Sequence, residues 1–306
     1  MSFSREVKQE IIRAPFERDC CIAAACYGVA CFGKYFDKRG VIFHTEQVTI
    51  ARYAQQLFEK AGICGKIFVK GTESRRIYEF AVKEPLEVEK TLALLGCSGE
   101  ETALRIDFNN LNCSGCLRAF AASAFLCCGT ITDPQKEYNL EFTLNRRHLA
   151  KDFIELMDKR GITLHQTIRK GNQVLYIKAS EQIEDMLTFM GAQNAALRLI
   201  NYKIYKDIRN KANRQTNCET ANILKTISAN QQCIEDIEYL KETGTLEALP
   251  EPLRLAAMGR LEHPEISLAA LAVLLDPPVS KSGLCHRMKK LQQIADTQRG
   301  QAVRPE

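Results

Sequence analysis

The sequence predicts an α+β protein in two parts: a unit of the form α-β-β-α-β-β-α present twice, then an all-helical C-terminal part. Three observations carry this. The chain repeats itself at roughly 96 to 100 residues: Gly33 closes a helix of small residues that begins near Cys20, and Gly129 closes a second that begins near Cys116. Apolar residues at helical and at alternating spacing then follow in the same order after each glycine. From Asn194 onward the strand pattern stops and only helical spacing remains.

The elements follow in order. IARYAQQLFEKAGI (50–63) and HLAKDFIELMDKRGI (148–162) are amphipathic helices that reach a glycine suited to a C-cap. A strand precedes each, VIFHTEQ (41–47) and YNLEFTL (138–144). Two strand pairs come next, KIFVKG (66–71) with RIYEFAVK (76–83) and QTIRKG (166–171) with QVLYIKA (173–179), each Lys-Gly step reading as a hairpin turn. Short helices close the copies, VEKTLALLG (88–96) and IEDMLTFMG (183–191). The expected domains are 1–195, pseudo-two-fold; 196–245, a basic helical connector; and 246–306, a small helical domain.

In that last domain LRLAAMGRLEHP (253–264) makes a helix ended by Pro264. Ser267 caps a second helix, which Pro277 and Pro278 stop, and Ser280 or Ser282 opens a third running through Asp296. Leu284, Met288 and Leu291 are expected to face its core. A sharp turn before a basic third helix makes this a helix-turn-helix.

The net charge of +5 is mild, but it is concentrated. Arg198 to Lys225 holds seven Lys and Arg against Asp207 and Glu219, and Val279 to Arg304 holds six against Asp296. Such stretches attract phosphate backbones; a solvated helix face is the plainer reading of either alone. The longest apolar stretch, Cys20 to Phe32, is 13 residues, short of the roughly 20 that span a bilayer. The N-terminus is charged from Arg5 and has no signal-peptide core, so a cytoplasmic protein is expected. Nucleophile triads and nucleotide fingerprints are absent, and KGTES (70–74) lacks the ending of a phosphate loop. The reading is of a protein without catalysis or cofactor.

Thirteen cysteines are too odd a number for a disulfide set. Cys113 and Cys116 form a single CxxC, with no second CxxC and no histidine at a zinc-finger spacing among His44, His148, His165, His263 and His286. No metal site is expected; runs such as CCIAAAC read as tight helix packing.

ACYGVACFG (25–33) and AASAFLCCG (121–129) resemble the paired central helices of the LAGLIDADG homing-endonuclease fold. The resemblance implies two helices packed at a pseudo-two-fold axis, each ending in an acid before a glycine, the two acids holding catalytic metal ions. Here those positions are Phe32 and Cys128. Phe cannot ligate a metal and Cys is too soft for Mg²⁺. Asp37 and Asp133, just past the helix ends, are the nearest alternative acids. NRQTNCETAN (213–222), SLAALAVLLDPPVSKSGLCHRMKKL (267–291), the opening SFSREVKQE and CLRAFAASAFLCCGTITDP (116–134) resemble the WhiA family of bacterial regulators across nearly the whole chain. That resemblance implies double-stranded DNA binding by a degenerate LAGLIDADG-like domain joined to a helix-turn-helix, in cell division, chromosome segregation or sporulation, at the nucleoid. It leaves open whether the front domain instead binds RNA polymerase or a sigma factor.

The residues expected at DNA are Ser267, Ser280, Lys281, Ser282, His286, Arg287, Lys289 and Lys290 in the C-terminal domain, with Arg214 and Asn217 in the connector. Arg209 and Lys211 add charge beside them. The connector motif has a second reading, that it docks the two domains together. A monomer is expected, because the duplication already supplies both central helices.

Overall fold

The computed structural model describes residues 2–72, 75–101 and 103–302. It falls into two compact units, Met1–Asp207 and Ile208–Glu306. The first opens with α1 (Phe3–Ile12), which the sequence reading did not anticipate. Ser2 caps it, and Phe3, Val7 and Ile11, four residues apart, turn into the core.

Two helices form the centre of this unit, α2 (Asp19–Phe32) and α5 (Ser114–Cys128). Most of their residues are buried, as in helices apolar on nearly every side. They touch backbone to backbone. A Cβ added at Gly28 would stand 2.7 Å from the Ser123 Cβ and 2.8 Å from the Phe120 carbonyl oxygen. Small residues are what permit this approach.

The rest of the unit repeats around that pair. After α2 come β1 (Tyr35–Asp37), β2 (Gly40–Thr45), α3 (Val48–Lys60), β3 (Lys66–Thr72), β4 (Arg75–Val82) and α4 (Pro85–Leu95). After α5 come β5 (Gly129–Ile131), β6 (Leu140–Leu144), α6 (Arg147–Asp158), β7 (His165–Arg169), β8 (Asn172–Ile177) and α7 (Ser180–Met190). The order is the one expected. Each half makes a four-stranded antiparallel sheet, β1-β2-β4-β3 and β5-β6-β8-β7. Phe43 faces Phe80 across β2 and β4, and Phe142 faces Leu175 across β6 and β8; all four are buried. Lys170 and Gly171, both at positive φ, make the second hairpin turn as read from the sequence. The first Lys-Gly step does not: Lys70 and Gly71 lie inside β3, paired with Ile77 and Arg76. The strand pairing continues to Thr72 and Arg75, and the residues between them lie outside the described ones.

The stretch read as a connector is one continuous helix, α8 (Gln193–Glu242). Ala195, Ala196 and Leu199 near its start belong to the core of the first unit. Ile237 and Leu240 near its end belong to the core of the second. There α9 (Glu251–Glu262), α10 (Leu268–Leu274) and α11 (Lys281–Ala302) complete a helical cluster. Leu284, Met288 and Leu291 are buried in it beside Leu253 and Leu271. The fully buried Arg260 donates to the carbonyls of His263, Pro264 and Ile266 at 3.3, 3.4 and 2.8 Å, which fixes the bend between α9 and α10. No helix among the described residues is long and apolar enough to cross a membrane.

Candidate nucleic-acid interface

Two serines set up the helix-turn-helix. The Ser267 hydroxyl accepts from the Ala270 N–H at 3.2 Å and starts α10. The Ser280 hydroxyl accepts from the Gly283 N–H at 3.1 Å and starts α11, so Ser280, not Ser282, caps the third helix. Ser282 stands exposed in the first turn, its hydroxyl 3.1 Å from that of Ser280.

Burial of Leu284, Met288, Leu291 and Ala295 directs the opposite side of α11 outward. Ser282, His286 and Lys289 lie four and three residues apart on that outer stripe and are exposed, as are Lys281 and Lys290. Gln293, absent from the expected set, continues the stripe. Arg287 sits at its flank, half-buried, and its guanidinium donates to the Pro252 carbonyl at 3.4 Å. The stripe therefore presents hydroxyl, imidazole and ammonium groups with a helix N-terminus at its leading end. That combination suits phosphates and base edges.

On α8, every residue from 211 to 229 is exposed, Arg214 and Asn217 included. A helix open on all faces has no apolar stripe committed to its own unit. Its side-chain amides and guanidinium groups are available to a ligand that runs along it.

The ends of the central helices tell a different story from those of a nuclease. Phe32 is 5% exposed, its ring edge-on to Phe120 and Phe153 with centroids 5.4 and 5.1 Å apart. The Cys128 thiol donates to the Ala124 carbonyl at 3.3 Å, and burial pushes its pKa up to about 12, so it stays neutral. Two protein cations reach the helix ends instead. Lys8 donates to the Leu126 carbonyl at 3.1 Å, and Arg146 donates to the Cys31 and Gly33 carbonyls at 2.5 and 2.9 Å. Burial lowers the pKa of both. They line a cavity of about 590 Å³ together with Phe32 and Cys128. No local pattern marks this pair, because Lys8 reaches the end of α5 and Arg146 the end of α2, each across more than a hundred residues of chain. Asp37 is held by Arg39 at 2.9 Å and by the Tyr35 hydroxyl. Asp133 is exposed and accepts from the Gln135 N–H at 3.0 Å. Neither is offered to the cavity.

Cys113 and Cys116 stand beside a second cysteine pair, Cys20 and Cys21, and all four Sγ atoms lie within 4.8 Å of one another. Equivalent places in the internal repeat were the signal that could have found it.

Comparison with known proteins agrees with this architecture. Residues 212–295 match the family model described as the WhiA C-terminal HTH domain, and residues 117–209 match the WhiA LAGLIDADG-like domain. The chain is similar to probable cell division protein WhiA of Alkaliphilus metalliredigens, 31% identical over 99% of this chain and 100% of the relative. The Ruminiclostridium cellulolyticum protein of the same name is 34% identical over 97% of each. Among solved structures, full-length DUF199/WhiA from Thermotoga maritima matches the fold with a TM-score of 0.62 at 23% identity, covering 97% of this chain and 99% of that one. The N-terminal LAGLIDADG domain of DUF199/WhiA matches with a TM-score of 0.50 at 19% identity, over 62% of this chain and 92% of that one.

Proposed function

The chain belongs to the WhiA family, and from that premise we propose that it is a DNA-binding regulator of cell division that reads specific sites through α11 and cleaves nothing. The observation that supports site reading is the exposed stripe of α11. Lys281, Ser282 and His286 stand at the leading end, where a recognition helix meets base edges, and Lys289, Lys290 and Arg287 stand behind, where it meets phosphates. Ser267 and Ser280 hold the two helix starts that such docking uses. Arg214 and Asn217 on the exposed middle of α8 give a second, sequence-tolerant contact. Chromosome segregation and, in some lineages, sporulation are the processes in which target genes are expected, with the protein at the nucleoid.

The test is fluorescence anisotropy with the full chain on a site taken from a genome-wide binding map, against a scrambled duplex. Tighter binding to the site by at least tenfold is expected. Equal affinity for both would remove site reading.

A second reading is supported by exposed apolar side chains on the outer hairpins of the front unit: Phe68 and Val69 of β3, 43% and 63% exposed, and Ile168 of β7, 66% exposed. Such residues fit a protein partner, with RNA polymerase or a sigma factor as the expected one. Co-precipitation that persists after nuclease treatment and is lost in Val69→Asp supports it; recovery only through DNA overturns it.

A further inference from the structure

Several cysteines of the front unit sit singly in the packing. Cys26, for instance, is buried with its thiol 3.7 Å from the Leu57 carbonyl. Four do not. Cys20 and Cys21 lie in the first turn of α2, Cys113 caps α5 and Cys116 lies in its first turn. The Sγ separations are 3.9 Å for Cys20–Cys113, 3.7 Å for Cys21–Cys113, 3.4 Å for Cys113–Cys116 and 4.0 Å for Cys116–Cys21. A Zn–S length of about 2.3 Å places tetrahedral sulfurs about 3.8 Å apart. The thiols are free, so these are not disulfide pairs.

We propose that Cys20, Cys21, Cys113 and Cys116 form a tetrahedral all-thiolate site for one zinc ion, which ties together the N-terminal ends of the two central helices. The donor set selects the metal: four soft sulfurs in a tetrahedron suit zinc and exclude Mg²⁺ and Ca²⁺. The short edges leave room for a single ion rather than a multi-iron cluster. Four protein ligands leave no coordination position for water, which makes the site structural.

The surroundings accept the charge. Zn²⁺ with four thiolates carries two negative charges, and the N-termini of α2 and α5 both direct their partial positive ends at it. The Cys116 N–H already donates to the Cys113 sulfur at 3.4 Å. Arg118, one turn along α5, lines the same 420 Å³ surface cavity as Cys21, and its Nε has no hydrogen-bond partner among the described residues. Cys21 and Cys116 are buried and Cys20 and Cys113 half-buried, so an ion has a way in from one side. On binding, each thiol releases its proton to solvent and gives a sulfur lone pair to the ion. No oxidation state changes.

Elemental analysis of the full chain, purified in reductant without chelator, is expected to show one zinc per chain. Cys20→Ser and Cys113→Ser should lose it, while Cys218→Ser and Cys64→Ser, exposed cysteines elsewhere, should keep it. The chelator-stripped chain titrated with Co²⁺ should develop the intense ligand-field bands of tetrahedral cobalt thiolate, saturating at one equivalent. If the serine variants fail to fold, the stoichiometry and cobalt spectrum of the unaltered chain still decide. Absence of stoichiometric metal together with no thiolate cobalt spectrum overturns the proposal. So does iron accompanied by acid-labile sulfide, or zinc that survives the Cys20→Ser/Cys113→Ser double substitution.

Discussion

On α11, Lys281 and His286 occupy the leading end and Lys290 a position a turn further on, all exposed. Their loss should therefore read differently. Lys281→Ala or His286→Ala is expected to lower discrimination between a specific and a scrambled duplex, by about 1–3 kcal/mol if a good base contact goes. Lys290→Ala is expected to weaken both alike and to flatten the slope of log affinity against log salt by about one unit, as one lost phosphate contact does. Arg287 is a poorer probe, because its bond to the Pro252 carbonyl couples DNA binding to stability. A salt titration of each variant decides; unchanged affinity and slope for Lys290→Ala would move the interface to α8. A different residue ties stability to acid pH. Burial of Glu79 on β4 would raise its pKa, but hydrogen bonds from Lys70, His44 and Lys83 at 2.5, 2.7 and 3.1 Å outweigh that and hold it at about 2. The folded value lies below the ordinary 4.5, so the stabilisation is complete above that pH and is lost as pH falls toward 2. Urea midpoints at about pH 6 and about pH 3 should fall steeply for the native chain and less for Glu79→Gln.

The contact between α2 and α5 is where packing outweighs propensity. Gly28→Ala would gain about 1 kcal/mol of intrinsic helix preference. The new methyl, however, meets Ser123 Cβ at 2.7 Å and the Phe120 carbonyl at 2.8 Å, and a backbone atom cannot rotate away. Overpacking costs about 1–3 kcal/mol, so net destabilisation is expected, measured by chemical denaturation. Gly62→Ala loses stability for another reason, its φ of +77° with open space around it. This helix pair was legible in the sequence because small residues recur twice at one spacing, and the strands were legible because runs rich in β-branched and aromatic residues, such as VIFHT and QVLYI, recur in the same order after each glycine. What was not legible depended on distance or local balance. The first Lys-Gly step is not a turn because β-pairing of Lys70 with Ile77 carries the strand past the glycine. Helix α1 was missed because its apolar residues, Phe3, Val7 and Ile11, are separated by Arg5, Glu6, Lys8 and Glu10, which read as a charged terminus. The four-cysteine cluster and the Lys8 and Arg146 contacts join segments some ninety or more residues apart, which no local pattern records.

Taken as a whole, the chain carries both helices of its central pair, with α2 and α5 buried against each other rather than on a surface. A monomer is therefore expected by light scattering at micromolar concentration, and a stable dimer would contradict it. The same pairing bears on catalysis. A two-metal nuclease holds hard cations between carboxylates at the scissile phosphates. In this chain the corresponding helix ends present a phenyl ring and a neutral thiol, and the carbonyls there already accept from Lys8 and Arg146. Lys8, Lys34 and Arg146 line that cavity, and no carboxylate among the described residues lines it to hold a divalent ion. Supercoiled plasmid incubated with the purified chain in Mg²⁺ or Mn²⁺ is accordingly expected to stay intact. The cations sharpen the prediction further. Restoring acids with Phe32→Asp and Cys128→Asp should not restore cleavage, because each new carboxylate would meet Arg146 or Lys8 before it met a metal ion. Nicking by the unaltered chain that disappears in Asp37→Asn or Asp133→Asn would overturn this account and place the acids beyond the helix ends.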